Sequence, residues 1–372
     1  MTLTLYFVRR FLRDFFWVCV GVSLVMLLID SIEQIRRFGQ DGVGMVQIGL
    51  LAALNLPATI NALLPLLSVL AGVAMFLGLA RTSELVVVRA SGRSALRMAF
   101  VPAVIAFLLG ALALAALNPI AAATAKRYDQ LASRIQRGDS PAASIGRDGV
   151  WLRQAGAGAG NAEVMRQSVI HAQRANADAT ELFDVTVMEY ALDLGPIRYL
   201  QAAGATLEPG AWVLADVKEW PLADSPNPET EAVRHASLRL ASDLTADRIR
   251  DSFGAPGDIA IWDLPDFIAA LDRAGFSSRR HAAWLQKELA QPLMLAAMVL
   301  IAAAFTMRHA RRGRTGLMAL LAFGTGVVAM LLRNFAQAMG ENGLLPVMLA
   351  AWAPPLVAIL GALTLILFLE EG

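Results

Sequence analysis

The chain has 372 residues, a net charge of +1 and one cysteine. Hydrophobic residues make up 56% of it and charged residues 17%, against about 45–50% and about 25% in soluble domains. The near-neutral balance removes any global bias toward nucleic acid, the lone Cys19 excludes an internal disulfide or cysteine metal cluster, and uncharged runs longer than the ~18–20 residues that cross a hydrocarbon core mark a membrane protein.

In chain order, Arg9, Arg10 and Arg13 precede the first apolar run. No small-residue cleavage site follows and the helical pattern continues to about Ile35, so the expectation is an uncleaved span over about Phe11–Ile35. From Gly42 to Ala80 there is no charge, and Pro57 and Pro65 interrupt the run; the expected reading is a short interfacial lead-in and then a span over about Pro57–Ala80. A third span over about Met98–Asn118 ends at Asn118-Pro119, a pair that disfavours helix. Spans four, five and six are placed at about Leu289–Met307, Thr315–Leu332 and Pro346–Leu369.

Arginines cluster before span one, after span two (Arg81, Arg89, Arg93, Arg97) and after span four (Arg308, Arg311, Arg312, Arg314). By the positive-inside rule these segments and both termini are cytoplasmic, and the long stretch between spans three and four lies outside. That stretch reads as strands over Gly149–Gln154, Ser168–Arg174, Glu181–Leu192, Pro196–Ala205 and Ala211–Pro221, with partial period-2 alternation. Many short strands without intervening helices imply an antiparallel sandwich or jelly roll. A helix over about Leu264–Ala274 follows, with Asp263 as N-cap and Gly275 as C′; a second starts near Ser277 or Ser278 and runs into span four. The predicted plan is residues 1–125 for spans one to three, 126–262 for an antiparallel β domain on the outer side (sandwich or jellyroll-like), 263–288 for a helical connector and 289–372 for spans four to six.

Catalytic and energy-coupling signatures are missing. No lysine sits in a P-loop, and Gly156-Ala157-Gly158-Ala159-Gly160-Asn161 lacks the third glycine of a dinucleotide fingerprint, so it reads as a hairpin loop. There is no G-x-S-x-G or H-E-x-x-H, and the four histidines show no i, i+4 pair for a metal. The deep polar residues read as neutral groups such as Asn61, Ser68 and Thr325, which pack helices rather than bind ions. No enzyme activity, cofactor or metal is expected, and power must come from a partner.

The loop after span two is where such a partner can bind. Ser83 can cap a short helix there, Glu84 complements its dipole, and Gly92 suits its C′ position. The helix carries Leu85, Val86, Val87 and Val88, followed by Arg89, Ala90 and Ser91. It either lies in the membrane interface or docks in a cleft of an ATPase.

The run from Arg81 to Gly92 resembles the LptF/LptG permeases of lipopolysaccharide export. Leu28-Ile29-Asp30-Ser31-Ile32-Glu33-Gln34-Ile35-Arg36-Arg37-Phe38-Gly39 looks like the LptG branch in particular, as does Asp263-Leu264-Pro265-Asp266-Phe267-Ile268 continuing to Gln291-Pro292-Leu293. The resemblance spans nearly the whole chain. It implies a permease of the cell inner membrane that pairs with an LptF-like subunit on two LptB-like ATPases and extracts lipopolysaccharide toward a bridge that includes an LptC-like protein. It also implies that Ser83–Gly92 contacts the ATPase and that spans one and five gate the cargo. Asp30, Glu33, Arg36, Arg37, Lys126, Arg127 and Arg333 are then candidates for contact with the lipid head. Some relatives have lysine where Asp30 stands, arginine near Asp129 and lysine where Glu288 aligns, a departure in this chain. The alternatives are the LptF-like partner, or a non-transporting scaffold that docks a periplasmic protein.

Overall fold

A computed structural model describes residues 2–38, 44–82, 84–90, 94–137, 143–146, 149–156, 166–176, 180–191, 195–223, 227–242, 244–245, 249, 255–307 and 315–371. The chain divides into two compact units. One comprises Met1–Gly138, Pro256–Leu264 and Arg279–Gly372; the other comprises Asp139–Ala255 and Pro265–Ser278.

The first unit is helical. Its N-terminal part holds α1 (Thr2–Phe38), α2 (Met45–Arg81), α3 (Glu84–Ala90), α4 (Ala95–Leu112), a π-helical turn at Ala113–Leu117 and α5 (Asn118–Arg137). After α6 (Leu264–Arg273), which lies mostly in the other unit, come α7 (Arg279–Leu289), α8 (Gln291–Thr306), α9 (Thr315–Glu341) and α10 (Val347–Glu371). Among the described residues, five helices are long and apolar enough to cross a membrane, or up to six if the bent pair α7–α8 is one span.

The middle of the bundle is α8. Nearly all of its residues are buried, and it packs against α2, α4, α9 and α10. Small residues let the backbones close in, as in membrane bundles generally. A Cβ on Gly72 would lie 2.7 Å from Ala302 Cβ, and one on Gly110 would lie 2.6 Å from Pro292 Cα. By contrast, none of the most apolar window of α1 is buried. Its fully buried apolar side chains are at its ends, where Phe7 and Phe11 join the main core and Phe38 joins Leu51 and Ala132, while Phe15, Val18, Cys19 and Val22 pack against the core half-buried.

Several expected boundaries move. The lead-in before Pro57 is not separate, because α2 is one continuous helix of 37 residues with both prolines inside it. The third span does not end at Asn118-Pro119; the helical path runs on to Arg137. The π turn just before it absorbs the ring, and the carbonyl of Ala115, which Pro119 cannot reach with an N–H, accepts from Trp262 Nε1 at 3.4 Å. Conversely, α7 does not run straight into span four. Chain direction changes by 48° between α7 and α8, because Pro292 lacks the N–H that the Glu288 carbonyl would need and its ring crowds that carbonyl.

The second unit carries a sheet of seven described strands: β1 (Ala143–Gly146), β2 (Gly149–Gly156), β3 (Arg166–Ala175), β4 (Glu181–Ala191), β5 (Gly195–Glu208), β6 (Ala211–Pro221) and β7 (Val233–Ala241). Five match expected strands; β1 and β7 were not anticipated from the sequence. Each pairs antiparallel with its neighbour in sequence, in the order β1 to β7. The antiparallel expectation holds. The ladder among the described residues is a meander, however, not the Greek-key crossing of a two-sheet jelly roll, which would place non-consecutive strands side by side.

The apolar face holds Val150, Leu152, Ile170, Val187, Leu200, Trp212 and Leu214, with Leu271, Ala274 and Phe276 from α6 and its exit. Gly275 ends α6 at φ +87, with Phe276 N–H bonded to Leu271 O and Gly275 N–H to Asp272 O, a Schellman cap as the sequence predicts. A crease crosses the sheet. Two successive residues turn outward at the same register in β3 (Gln173, Arg174), β4 (Phe183, Asp184), β6 (Ala215, Asp216) and β7 (Ala236, Ser237). Asp184 and Asp216 stand there at φ 54 and φ 50, a left-handed conformation that aspartate tolerates better than most residues. Alternation restarts one residue late after each, so the period-2 signal in the sequence is only partial.

Candidate functional site

Ser83, Ser91 and Gly92 lie outside the described residues, as do the side chains of Val86, Arg89 and Ala90. The rest of the predicted loop helix is α3, only seven residues long. Too short to be stable alone, it is held by contacts. Leu85 is 6% exposed within the bundle core, and Val88 packs against that core. Val87 points the other way and is 69% exposed.

Glu84, predicted as a dipole partner, does something more specific. Its carboxylate accepts from Tyr6 Oη at 2.6 Å, Arg10 Nη1 at 3.1 Å and Thr82 Oγ1 at 2.7 Å. Arg10 also donates to Tyr6 Oη. The hydrogen bond from Tyr6, with those from Thr82 and Arg10 and the charge of Arg10, holds the Glu84 carboxyl below the usual glutamate range. Tyr6 was not singled out from sequence, and Arg10 was counted only as a topology charge. The pair is 74 residues apart in the chain, so no local pattern announces it.

The predicted polar rim assembles in part. Tyr128 of α5 exchanges hydrogen bonds with Gln34 at 3.1 and 3.2 Å and accepts from Arg37 at 3.5 Å. The end of α1 and the start of the polar part of α5 therefore meet. Arg36 pairs with Glu33 at 2.8 Å, both exposed. Lys126 and Arg127 are exposed on α5, and Asp30 accepts from Asn55 at 3.2 Å.

Arg333 is elsewhere. It is 5% exposed and donates to Lys287 O at 3.2 Å and Gln291 Oε1 at 3.5 Å. Beside it, Glu288 (2% exposed) accepts from Asn61 Nδ2 at 3.2 Å and Asn118 Nδ2 at 3.1 Å. Gln291 donates to Asn61 O at 3.1 Å, and Asn118 Oδ1 accepts from the Ile261 N–H at 3.0 Å. This network sits at the α7–α8 bend and ties α2, α5, α8 and α9 together. Only neutral groups are expected from the sequence among the deep polar residues; the fold also buries Glu288 and Arg333 within the bundle. A charge closes an apolar window in the sequence, but helix α9 continues for eight residues beyond Arg333.

Residues 5–368 match the family model described as lipopolysaccharide export system permease LptF/LptG. The chain belongs to the LptF/LptG family. It is similar to the lipopolysaccharide export system permease protein LptG of Escherichia coli strain K12, with 24% identity over 307 residues that cover 80% of each chain. The LptG of Escherichia coli O6:H1 is similar to the same extent. Membership of the LptF/LptG family and the long apolar helices make this a multi-pass inner-membrane protein, a permease component of lipopolysaccharide export and not itself catalytic.

Proposed function

We propose that the chain is the LptG-like half of a lipopolysaccharide exporter, paired with an LptF-like subunit, two LptB-like ATPases and an LptC-like protein. Both termini, α3 and the loop after α8 face the cytoplasm, and the sheet unit faces the periplasm. The Arg36–Arg37 end of α1, with Lys126 and Arg127, meets anionic groups of the lipid head. The LptG branch is favoured by the E. coli relatives' names and by the motif from Leu28 to Gly39.

The observation that carries the reading is the split of α3 into two faces. Leu85 and Val88 fasten the helix to the bundle, while an apolar side chain, Val87, is left outward in a chain with no P-loop of its own. An exposed apolar residue between anchored neighbours suits a cleft on a partner protein. In Val87→Asp the fold should persist, because Val87 is mostly exposed, whereas a charge buried unpaired in the partner's cleft costs several kcal/mol. The variant is therefore expected to insert and purify normally but without the ATPase. Unchanged ATPase recovery overturns the docking assignment.

Orientation is tested with single cysteines in a Cys19→Ser background. A thiol at Ser225 should react with an impermeant reagent in spheroplasts, and one at Thr315 only after permeabilisation. Purification as a pair of identical subunits on the ATPase would overturn the LptG-like assignment. ATPase turnover that ignores added lipopolysaccharide would favour a scaffold.

A further inference from the structure

We infer that Tyr6, Arg10 and Glu84 form a clamp that carries movement of α3 into the first helix, and through it to Arg36 and Arg37 at the other end. The inference rests on the proposal that α3 is the element the ATPase moves; the contacts themselves do not.

One carboxylate gathers three donors from two helices. Tyr6 and Arg10 come from α1, one turn apart, and Thr82 comes from the end of α2. Arg10 reaches Glu84 across α2 at Gly78, where a Cβ would stand 2.8 Å from its Nη2. A side chain at this position would have to displace the Arg10 guanidinium. Charge-assisted bonds of this kind are short and directional, so Glu84 and the start of α1 move as one body.

The geometry of α1 decides where such a movement goes. It is one helix of 37 residues, about 55 Å long at 1.5 Å per residue. No residue of its central apolar window is fully buried; Phe15, Val18, Cys19 and Val22 pack against the core from one side only. At the clamp end it is held by Tyr6, Phe7, Arg10 and Phe11. At the far end it is held by Gln34 and Phe38, next to Arg36 and Arg37. An unbroken helix lying by one face on its neighbours passes a displacement along its axis from one end to the other. Beside the clamp, Tyr6, Phe7, Leu79, Glu84, Leu85 and Val88 line a small cavity, which leaves α3 room to shift without breaking its backbone. Tyr6, Arg10 and Glu84 thus act in the clamp as positioning residues.

The test has two readouts on the double variant Tyr6→Phe/Arg10→Ala. In the purified chain alone, amide exchange across Glu84–Ala90 should rise relative to the parent; unchanged protection overturns the clamp whatever the ATPase does. In the reconstituted complex, an environment-sensitive label at Arg36→Cys (with Cys19→Ser) should respond to a non-hydrolysable ATP analogue in the parent. The double variant should keep its ATPase and its basal hydrolysis but lose that response. A label response equal to the parent's, with faster exchange in α3, overturns the relay from α3 to Arg36. Failure of the parent to retain any ATPase, or retention by Val87→Asp, counts against the ATPase assignment instead. Gly78→Leu should reproduce both effects, because it blocks the path of Arg10 without removing a donor.

Discussion

Helices α1 and α8 are both apolar enough to be read as spans, yet they occupy opposite situations. The core helix is the shorter, at 16 residues, buried on every side and reached through a bend that carries buried charges. The peripheral one is more than twice as long, exposed on one face along its middle and fastened at its ends by both polar and aromatic side chains. Hydropathy reports transfer into an apolar medium, and lipid and protein interior are alike in that respect. The lesson is that the central helix is recognised by what its neighbours lack, at Gly72 and Gly110, and not by its own composition.

The largest expected effect tests the charged joint beneath α8. Glu288→Ala removes the only carboxylate facing the buried Arg333 among the described residues and strands the amides of Asn61 and Asn118. Breaking a buried charged network in this way costs about 3–5 kcal/mol, measured as a fall in thermal midpoint in detergent. Loss below about 1 kcal/mol would mean that the joint is hydrated like a surface. Gly110→Leu comes next. Its first side-chain atom meets the Pro292 backbone, and overpacking of this kind costs about 1–3 kcal/mol or more. The matched control is Gly21→Leu on α1, where a Cβ meets nothing within 4 Å; the same chemistry there should stay within about 0.5 kcal/mol. Equal effects at Gly21 and Gly110 would erase the distinction between the two helices.

The smallest effect concerns the clamp at the end of α1. Because the folded state lowers the Glu84 carboxyl, its contribution is fully present above the ordinary glutamate value of about 4.3 and is lost as pH falls through the folded value. A partly exposed pair of this type is worth roughly 0.2–1 kcal/mol. Protection of α3 against proteolysis should therefore be flat from neutral pH down to about 5 and decline below about 4. In Glu84→Gln it should be lower at neutral pH and indifferent to acid. An identical acid response in Glu84→Gln would assign the transition to another group.

Much of this was legible in the sequence because it depends on one-dimensional regularities. Uncharged length located the apolar helices, and strand alternation between turn residues located β2 to β6. Gly275 announced the end of α6, and the run around Leu85 announced a short helix outside the spans. Boundaries were legible only to the first charge or proline, so α9 was cut at Arg333 and the third span at Pro119. A helix end is set by where backbone partners run out, and here a π turn and the Trp262 indole supply them. Three features belonged to tertiary structure alone. The Arg10–Glu84 pair, the Glu288–Arg333 joint and the creased register from β3 to β7 each join residues far apart in sequence. Their charges and small side chains take on meaning only when folding brings specific partners together.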